Sequence, residues 1–374
     1  MNSSTKIFKD AYFYYLSKII PGIFALIFLT LFTRVIGINE YGKYSFYISQ
    51  FNLIASFSFG WINQSQLRYG SKPSLSFKKY EYVFPILLSL MIALLLLLIF
   101  NILSNYNNNI LLSIYCISSI GLFSFFKTFY QRKLLSYNVF ILASFQSIMS
   151  IVIPLLFTFY LDITYQYLLL TTAISFSSTI IALNYKNIKL NLKKIIYQPK
   201  IFPKNLKKWI YYGFPVSIWS IIGLLLPYLD RFFISKYLDE SQLGVYSSLN
   251  DLLIRTFSFL IFPITMATHP IITNLWNKNQ KREAKKIIIN IVFIMLIIIA
   301  ITVLVLSIMK NQIFDLIRII LPMLPDNAKT LVPSMLLTGL VWQLSFITHK
   351  FIELSEKTYV MIIFIFISLI INLI

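Results

Sequence analysis

Four charged residues interrupt apolar stretches of this sequence, where charge is costly and therefore informative. Asp230 and Arg231 are adjacent near the end of one stretch, and Asp251 and Arg255 stand four residues apart in the next. Residues four apart share a helix face, so Asp251 and Arg255 are able to bond on the helix surface. Asp230 lies about 100° around a helix from Arg231 and is expected to pair with Arg255 or another basic group. The guanidinium groups of the two arginines could bind an anion, and the two carboxylates could pair with a cation or take part in ion coupling.

The composition indicates that these charges lie in a very apolar chain. Hydrophobic residues make up 58% of the 374 residues and charged residues only 12%, and the mean hydropathy is +0.76. Apolar runs such as residues 85–103 and 287–309 are about as long as the ~20 residues that a helix needs to cross a bilayer. The chain is therefore predicted to be an all-α protein that crosses the membrane many times.

Eleven spans are predicted from the distribution of apolar residues. They cover residues 12–37, 41–68, 80–103, 110–131, 137–160, 163–186, 209–236, 243–274, 286–309, 329–350 and 358–374. Most Lys and Arg residues fall on the side that holds the N-terminus, so the positive-inside rule predicts a cytoplasmic N-terminus. This placement explains the formal charge of +20 without a nucleic-acid partner.

Little in the sequence suggests an enzyme. Cys116 is the only cysteine, and His269 and His349 are the only histidines, so neither a disulfide framework nor a metal cluster is expected. The sequence has no Gly-rich phosphate loop, no nucleophile elbow and no zinc-protease motif. We predict a protein that is not an enzyme and that uses no metal or cofactor.

An internal duplication relates the two halves of the chain. The stretch "LFTRVIGINEYGKYSFYIS" at 31–49 is echoed by "YLDRFFISKYLDESQLGVYSSLND" at 228–251. The matched residues are Arg34 with Arg231, Gly42 with Gly244, Tyr44 with Tyr246 and Ser45 with Ser247. Two copies of six spans would have the same orientation, as in the parallel repeats of some transporters.

The duplication predicts two lobes around a central cavity. The N-terminal lobe is expected at residues 1–186, a basic cytoplasmic linker at 187–208 and the C-terminal lobe at 209–374. Twelve spans are expected from two full copies, and the twelfth is absent. Eight lysines and no acid lie between residues 186 and 208. This segment is predicted to fix the topology and to lie on anionic lipid, or else to be a flexible tie or to gather a phosphate-bearing substrate.

Polar residues follow one face of span two and one face of span eight. The first stripe is Ser45, Ser49, Asn52, Ser56, Gly60 and Asn63, and the second is Ser247, Asp251, Arg255, Ser258, Thr265 and His269. Close helix packing through small residues explains the first stripe about as well as a cavity does. For the second stripe a water-filled cavity is favoured, because Arg255 would lie about 18 Å from the outer end of its span, near the middle of the bilayer.

Arg34 and Arg231 lie about one helical turn from the outer ends of spans one and seven. Snorkelling of each guanidinium to the membrane interface is a sufficient explanation for either residue alone. Their matched places in the two halves favour a second interpretation, in which both flank the mouth of one cavity. Both interpretations are kept.

Three segments resemble a known family. The stretch "YYGFPVSIWSIIGLLLPYLDRFFISKYLDESQLGVYSS" is similar to the start of the second lobe in polysaccharide and O-antigen flippases, members of the multidrug, oligosaccharidyl-lipid and polysaccharide exporter superfamily. The residues that carry this similarity are Gly213, Pro215, Asp230, Arg231, Glu240, Leu243, Gly244, Tyr246 and Ser247. "TRVIGINEYGKYSFY" resembles the first-lobe counterpart, and "LPMLPDNAKTLVPSMLL" resembles the short helix before span ten.

The resemblance implies a function and a set of site residues. It implies translocation of an undecaprenyl-diphosphate-linked oligosaccharide, an O-antigen or capsule repeat unit, from the cytoplasmic to the periplasmic leaflet of the bacterial inner membrane by alternating access. Contacts with the diphosphate are expected from Arg255, Arg231, Arg34 and Lys127. The sugars are expected to meet Ser49, Asn52, Ser56, Asn63 and Ser258, and charge pairing or ion coupling is assigned to Asp251 and Asp230. Other glycan-assembly membrane proteins are possible partners.

Other functions are kept as alternatives. A drug or metabolite exporter of the same superfamily would need acids to bind cationic substrates, whereas basic residues occupy the matched positions here. A membrane-embedded glycan polymerase or ligase would need a large outer loop, and the outer segments predicted here are short. A structural scaffold would not explain Asp251 and Arg255 within one span.

Overall fold

The computed structural model describes residues 3–70, 79–104, 109–157, 164–197, 205–277, 279–348, 350–355 and 358–373. All regular secondary structure in these ranges is helical. The α-helices are α1 (Ser3–Tyr69), α2 (Val83–Ser104), α3 (Ile110–Arg132), α4 (Ser136–Phe157), α5 (Tyr165–Tyr197), α6 (Leu206–Tyr237), α7 (Glu240–Asn277), α8 (Lys281–Ile320), α9 (Val332–Thr348), α10 (Lys350–Leu354) and α11 (Thr358–Leu373). Short 3-10 helices lie at Lys79–Tyr82 and Asp326–Thr330. The predicted all-α fold class is confirmed.

Six of the described helical segments are long and apolar enough to cross a membrane. They are Tyr12–Tyr69, Val83–Ile102, Ile110–Arg132, Ser136–Leu156, Tyr165–Leu183 and Lys281–Ile320. Helix α9 contributes a shorter apolar segment, Val332–Ser345. The chain is accordingly a multi-pass membrane protein.

Helix α1 consists of two helices joined at Gly37. Gly37 has φ 81° and ψ 165°, a backbone conformation that is open almost only to glycine. The rings of Phe28 and Tyr44 lie 5.5 Å apart, although a straight helix would separate these residues by about 24 Å. The chain therefore turns back on itself at Gly37, which agrees with the predicted division into spans one and two, except that residues 38–40 are helical and form no loop.

Helix α8 is interrupted at Met309, where φ is −118° and ψ is 25°. Predicted span nine ends at this residue, yet the chain stays helical to Ile320. The extension is amphipathic, because Phe314 and Ile317 are buried whereas Leu316 and Ile319 are exposed. The segment that resembles the family's short helix before span ten contains the 3-10 helix Asp326–Thr330.

Helix α5 continues into the predicted linker and ends at Tyr197. The helix can continue because neither Gly nor Pro occurs between residues 186 and 198, and it ends two residues before Pro199. Pro199 and Pro203 lie outside the described residues, and α6 begins at Leu206.

The chain forms two compact units. Unit 1 consists of Met1–Phe24 and Phe46–Asp230, and unit 2 consists of Ala25–Ser45 and Arg231–Ile374. The residues around Gly37 thus belong to the unit that holds α7 to α11, and most of α6 belongs to the unit that holds α2 to α5. The predicted lobes at 1–186 and 209–374 describe a repeat in the sequence and stay a prediction.

Unit 1 is held together by aromatic side chains. Phe59, Trp61, Tyr82, Phe125 and Trp209 are nearly or fully buried in one cluster. The Ser65 hydroxyl donates to the carbonyl oxygen of Trp209 at 2.6 Å, which ties α1 to the first turn of α6. Helices α3, α4 and α5 pack against one another in the same unit.

Unit 2 brings matched positions of the duplication into contact. A Cβ atom on Gly42 would lie 2.6 Å from Cα of Gly244, and a Cβ atom on Gly244 would lie 2.2 Å from the carbonyl oxygen of Ile38. Only glycine allows so close an approach of α1 and α7. Next to this crossing, Lys43 Nζ lies 3.1 Å from Glu40 Oε1 and 2.8 Å from Glu240 Oε2. Helices α7, α8 and α9 pack together in the rest of the unit.

Candidate functional site

The side chain of Asp251 is the centre of a polar cluster in unit 2. Arg231 Nη2 donates to Asp251 Oδ1 at 2.7 Å. Two hydroxyl groups of α1 donate to the other carboxylate oxygen, Oδ2: Tyr41 at 2.9 Å and Ser45 at 3.0 Å. Three separate helical segments thus meet at one carboxylate, the end of α6, the second helix of α1, and α7.

The guanidinium of Arg231 is buried, so its charge is compensated by Asp251 rather than by water. Arg231 is only 4% exposed and Tyr41 is fully buried, so neither side chain reaches the surface of the protein. Snorkelling is therefore excluded for Arg231, and the guanidinium is instead neutralised by a carboxylate. Removing one partner of such a pair leaves the other charge without its hydrogen-bonded ion-pair partner.

Arg255 lies one helical turn beyond Asp251 on α7 and donates through Nη1 to the backbone carbonyl oxygen of Ala25. The bond that helix periodicity allows between Asp251 and Arg255 is replaced by the bond between Asp251 and Arg231. Arg231 of α6 lies 2.7 Å from Asp251 Oδ1. The hydroxyl groups of Tyr41 and Ser45 donate to the second carboxylate oxygen, Oδ2. Arg255 still interacts electrostatically with Asp251, so both arginines lie close to the Asp251 carboxylate.

Arg34 lies apart from the Asp251 cluster although it belongs to the same unit. Its side chain is exposed, and Nη2 donates to the carbonyl oxygen of Ile319 at 3.0 Å. Ile319 is in the last turn of α8, where unsatisfied carbonyl groups give the helix end a partial negative charge. The matched positions Arg34 and Arg231 thus have different surroundings, a helix end for one and a buried carboxylate for the other.

The remaining predicted charged residues lie in unit 1. Lys127 is half-buried on α3, and Asp230 is half-buried at the boundary of the unit on α6. The pairing predicted between Asp230 and Arg255 stays a prediction.

Four of the five predicted sugar-contact residues lie along the second helix of α1. Ser49 donates to the carbonyl oxygen of Phe46 at 2.7 Å, and the exposed Asn52 donates to that of Ile48 at 2.8 Å. Ser56 is half-buried. Asn63 Nδ2 donates to Ser124 Oγ of α3 at 3.0 Å, which supports a packing role for that residue. Ser258 is on α7, but its side chain lies outside the described residues.

The sequence interpretation missed two members of the cluster as site residues. Tyr41 was not singled out, and Ser45 was included only as part of a stripe. A signal for both was present, because the two residues are four apart at the start of span two and share one helix face with the rest of the stripe. The partner on that face was not predictable, since Asp251 is 206 residues away from Ser45.

The described residues contain no group of three or more His, Cys, Asp or Glu side chains that could hold a metal ion. Cys116 is buried on α3, where its thiol contacts the carbonyl oxygen of Leu169 at 3.4 Å. His349 and the side chain of His269 lie outside the described residues.

Comparison with known families gives two matches. A family model described as "Polysaccharide biosynthesis protein" matches residues 7–276. A second model, MatE, matches residues 215–374. The first match covers more than half of the chain and includes Arg34, Arg231, Asp251 and Arg255. None of the curated proteins matches the chain.

Proposed function

Since the chain belongs to the polysaccharide biosynthesis protein family, and with it to the exporter superfamily that the MatE match also indicates, we propose that it flips a lipid-linked oligosaccharide. The substrate is an undecaprenyl-diphosphate-linked repeat unit of an O-antigen or capsule. It passes from the cytoplasmic to the periplasmic leaflet of a bacterial inner membrane by alternating access. The orientation with a cytoplasmic N-terminus follows the positive-inside rule.

The observation that carries this proposal is the pair of arginines beside one carboxylate in unit 2. A diphosphate carries several negative charges and cannot enter hydrocarbon without compensating cations. Arg255 binds a neutral backbone carbonyl, which is a weaker acceptor than a phosphate oxygen. A guanidinium has five N–H donors, so Arg255 can exchange this contact for a bidentate one with phosphate. We assign the first contact with the diphosphate to Arg255, with Arg231, Arg34 and Lys127 as further candidates.

Asp251 then has a supporting role in the proposed mechanism. Its carboxylate accepts hydrogen bonds from Arg231, Tyr41 and Ser45, and all three donors stabilise its negative charge. Charge pairing with Arg231 is therefore the role we propose for Asp251, rather than ion coupling. For the sugars we propose Ser49, Asn52 and Ser56, whose positions along α1 leave them at least partly exposed.

The function is tested in a bacterial strain that lacks its own O-antigen flippase and has a matched glycan cluster. The wild-type chain is expected to restore surface glycan. Arg255→Ala is expected to lose it and to accumulate lipid-linked repeat units on the inner leaflet, whereas Arg255→Lys keeps part of the activity because the charge remains. Arg318→Ala is the matched control, since Arg318 pairs with the exposed Asp326 outside the cluster. No rescue by a well-expressed wild-type chain would contradict the proposed function.

One alternative has a specific observation in its favour. The MatE match to residues 215–374 suits a drug or metabolite exporter of the same superfamily. Such an exporter would lower the accumulation of a cationic dye in cells, and the effect would depend on Asp251 rather than on Arg255. Dye efflux in the absence of glycan rescue would favour this alternative.

A further inference from the structure

One end of unit 1 carries basic side chains that lie on aromatic rings. Helix α1 ends there at Tyr69, α3 ends at Arg132, and α6 begins at Leu206. We use the name basic rim for the four cations Arg68, Arg132, Lys133 and Lys208. The rings beneath them are Tyr69, Tyr82, Phe129, Trp209 and Tyr212.

Helices α1 and α6 exchange cation–π contacts at the basic rim. Arg68 of α1 lies 5.8 Å from the ring centre of Tyr212 on α6, and Lys208 of α6 lies 5.6 Å from the ring centre of Tyr69 on α1. The two tyrosine rings touch edge to face at 5.3 Å. An aromatic ring attracts a cation but does not neutralise it, so the charges of Arg68 and Lys208 remain available to an anion.

Arg132 joins the same cluster from α3. Its guanidinium lies 5.2 Å from the ring centre of Tyr82 and 4.6 Å from that of Phe129, and it donates to the Tyr82 hydroxyl. The Arg132 Nε atom is buried and has no hydrogen-bond partner among the described residues. Lys133 Nζ lies 4.3 Å above Phe129. The rings of Tyr82 and Trp209 are in contact at 5.9 Å, so both groups of cations rest on one aromatic layer.

The start of α6 adds positive potential at this end of unit 1. The first turn of α6 contains no acidic residue but includes Lys207 and Lys208. Unsatisfied N–H groups give a helix N-terminus a partial positive charge, and cations placed there are unfavourable unless an anion is near. Glu81 is adjacent to Tyr82 in the 3-10 helix Lys79–Tyr82, and its carboxylate interacts electrostatically with the Tyr82 side chain. The arrangement therefore favours binding of an external anion.

Exposed apolar side chains next to the cations indicate the source of that anion. Leu134, in the turn after Arg132, is 68% exposed, Tyr137 at the start of α4 is 53% exposed, and Tyr211 on α6 is 84% exposed. Large apolar and aromatic groups beside Lys and Arg are typical of the membrane interface. We propose that the basic rim binds the phosphate of an anionic phospholipid headgroup. A dissolved phosphate would gain nothing from Leu134, Tyr137 and Tyr211.

The proposal does not depend on the transported substrate and is tested by lipid binding. The purified full chain is titrated in detergent micelles with phosphatidylglycerol or with zwitterionic phosphatidylcholine. Bound lipid is counted by native mass spectrometry, and the unfolding temperature is recorded. Phosphatidylglycerol is expected to bind more tightly and to raise the unfolding temperature. Arg68→Gln with Lys208→Gln should weaken phosphatidylglycerol binding by about fivefold for each charge removed.

Two further variants separate binding from folding. Arg68→Lys with Lys208→Arg keeps both charges and is expected to keep lipid binding. Lys281→Gln is the matched control, because Lys281 also lies over an aromatic ring, Trp276 at 5.6 Å, but its helix has an acid, Glu283, in the first turn. Lys281→Gln should leave phosphatidylglycerol binding unchanged.

Three results would overturn the proposal. The first is equal phosphatidylglycerol binding by the wild type and by the Gln double variant. The second is an equal loss in the charge-preserving variant, which would show that the rim only supports packing. The third is equal stabilisation by inorganic pyrophosphate at the same concentration, because the site would then serve a soluble anion.

Discussion

At the scale of single residues, the partners of Asp251 define the candidate site. A carboxylate has two oxygens, and here one accepts from Arg231 while the other accepts from Tyr41 and Ser45. Sequence alone identified the charged members, because charge within an apolar run is rare. Helix periodicity offered Arg255, four residues away, as a partner for Asp251, whereas the closer contact comes from Arg231 on another helix.

The Arg231–Asp251 pair is predicted to be strongly coupled. Arg231→Met should lower the free energy of unfolding by about 3 kcal/mol or more, because it leaves the Asp251 carboxylate without its cation. The double variant Arg231→Met, Asp251→Leu should lose less than the sum of the two single variants. The free energy of unfolding of the wild type and of each variant is measured in mixed micelles of a mild and a denaturing detergent. Strictly additive losses would show that the ion pair contributes no coupling.

Two serines on the same helix provide a matched comparison. The Ser45 hydroxyl donates to Asp251 across helices, whereas that of Ser49 donates to the Phe46 carbonyl within its own helix. Ser45→Ala should cost about 1 kcal/mol, since a charged acceptor loses a donor. Ser49→Ala should cost less, because the Phe46 carbonyl keeps its place in the helix. The unfolding assay compares the two, and equal costs would contradict the importance assigned to the Asp251 cluster.

At the scale of helices, breaks in long helices decide which residues meet. Gly37 turns the chain of α1 back, so that residues on both sides of the turn contact α7. The Ala25 carbonyl oxygen accepts from Arg255, and Ser45 donates to Asp251, one helical turn earlier on α7. Hydropathy placed the boundary between spans one and two within a few residues of Gly37. The helical extension of α8 beyond Met309 was missed, because its apolar residues are spaced for one face only and do not form a continuous apolar run.

Gly37→Ala is predicted to lower stability by about 1–3 kcal/mol, because its backbone conformation is accessible almost only to glycine. Apart from its neighbours in the chain, no heavy atom of the described residues lies within 4 Å of a Cβ built at this position, so the loss comes from backbone strain and not from a clash. Gly37→Asn should be no better, since asparagine tolerates the left-handed helical region but not ψ near 165°. Val35→Ala is the control, because Val35 is 48% exposed. Wild-type unfolding of Gly37→Ala would contradict this explanation.

At the scale of the whole molecule, the two compact units do not follow the order of the chain. Residues Ala25–Ser45 belong with Arg231–Ile374, so the N-terminal part of the sequence completes the unit that holds the Asp251 cluster. The contact between Gly42 and Gly244 joins positions that the duplication makes equivalent. If transport proceeds by alternating access, this crossing of α1 and α7 is a contact expected to change during the cycle.

A reversible crosslink at that crossing tests the expected change. Cys116 is the only cysteine, so Cys116→Ala gives a background in which Lys43→Cys and Glu240→Cys can be joined by a short thiol reagent. The native side chains meet at 2.8 Å. Glycan rescue should fall at least tenfold on crosslinking and return after reductive cleavage. The control pair, Glu40→Cys with Lys43→Cys, lies within α1 and should tolerate the crosslink. Full rescue by the crosslinked protein would show that this contact stays closed throughout transport.

The sequence by itself determined the membrane class, most span boundaries, the turn near Gly37 and the charged residues worth examining. It did so because hydropathy and helix periodicity are local properties, readable over one or two helical turns. Only the tertiary structure decided that Asp251 pairs with Arg231, that Arg255 meets the Ala25 carbonyl and that Tyr41 belongs to the cluster. Those contacts depend on packing between segments that are far apart in the chain, and local patterns do not encode which apolar helix faces meet.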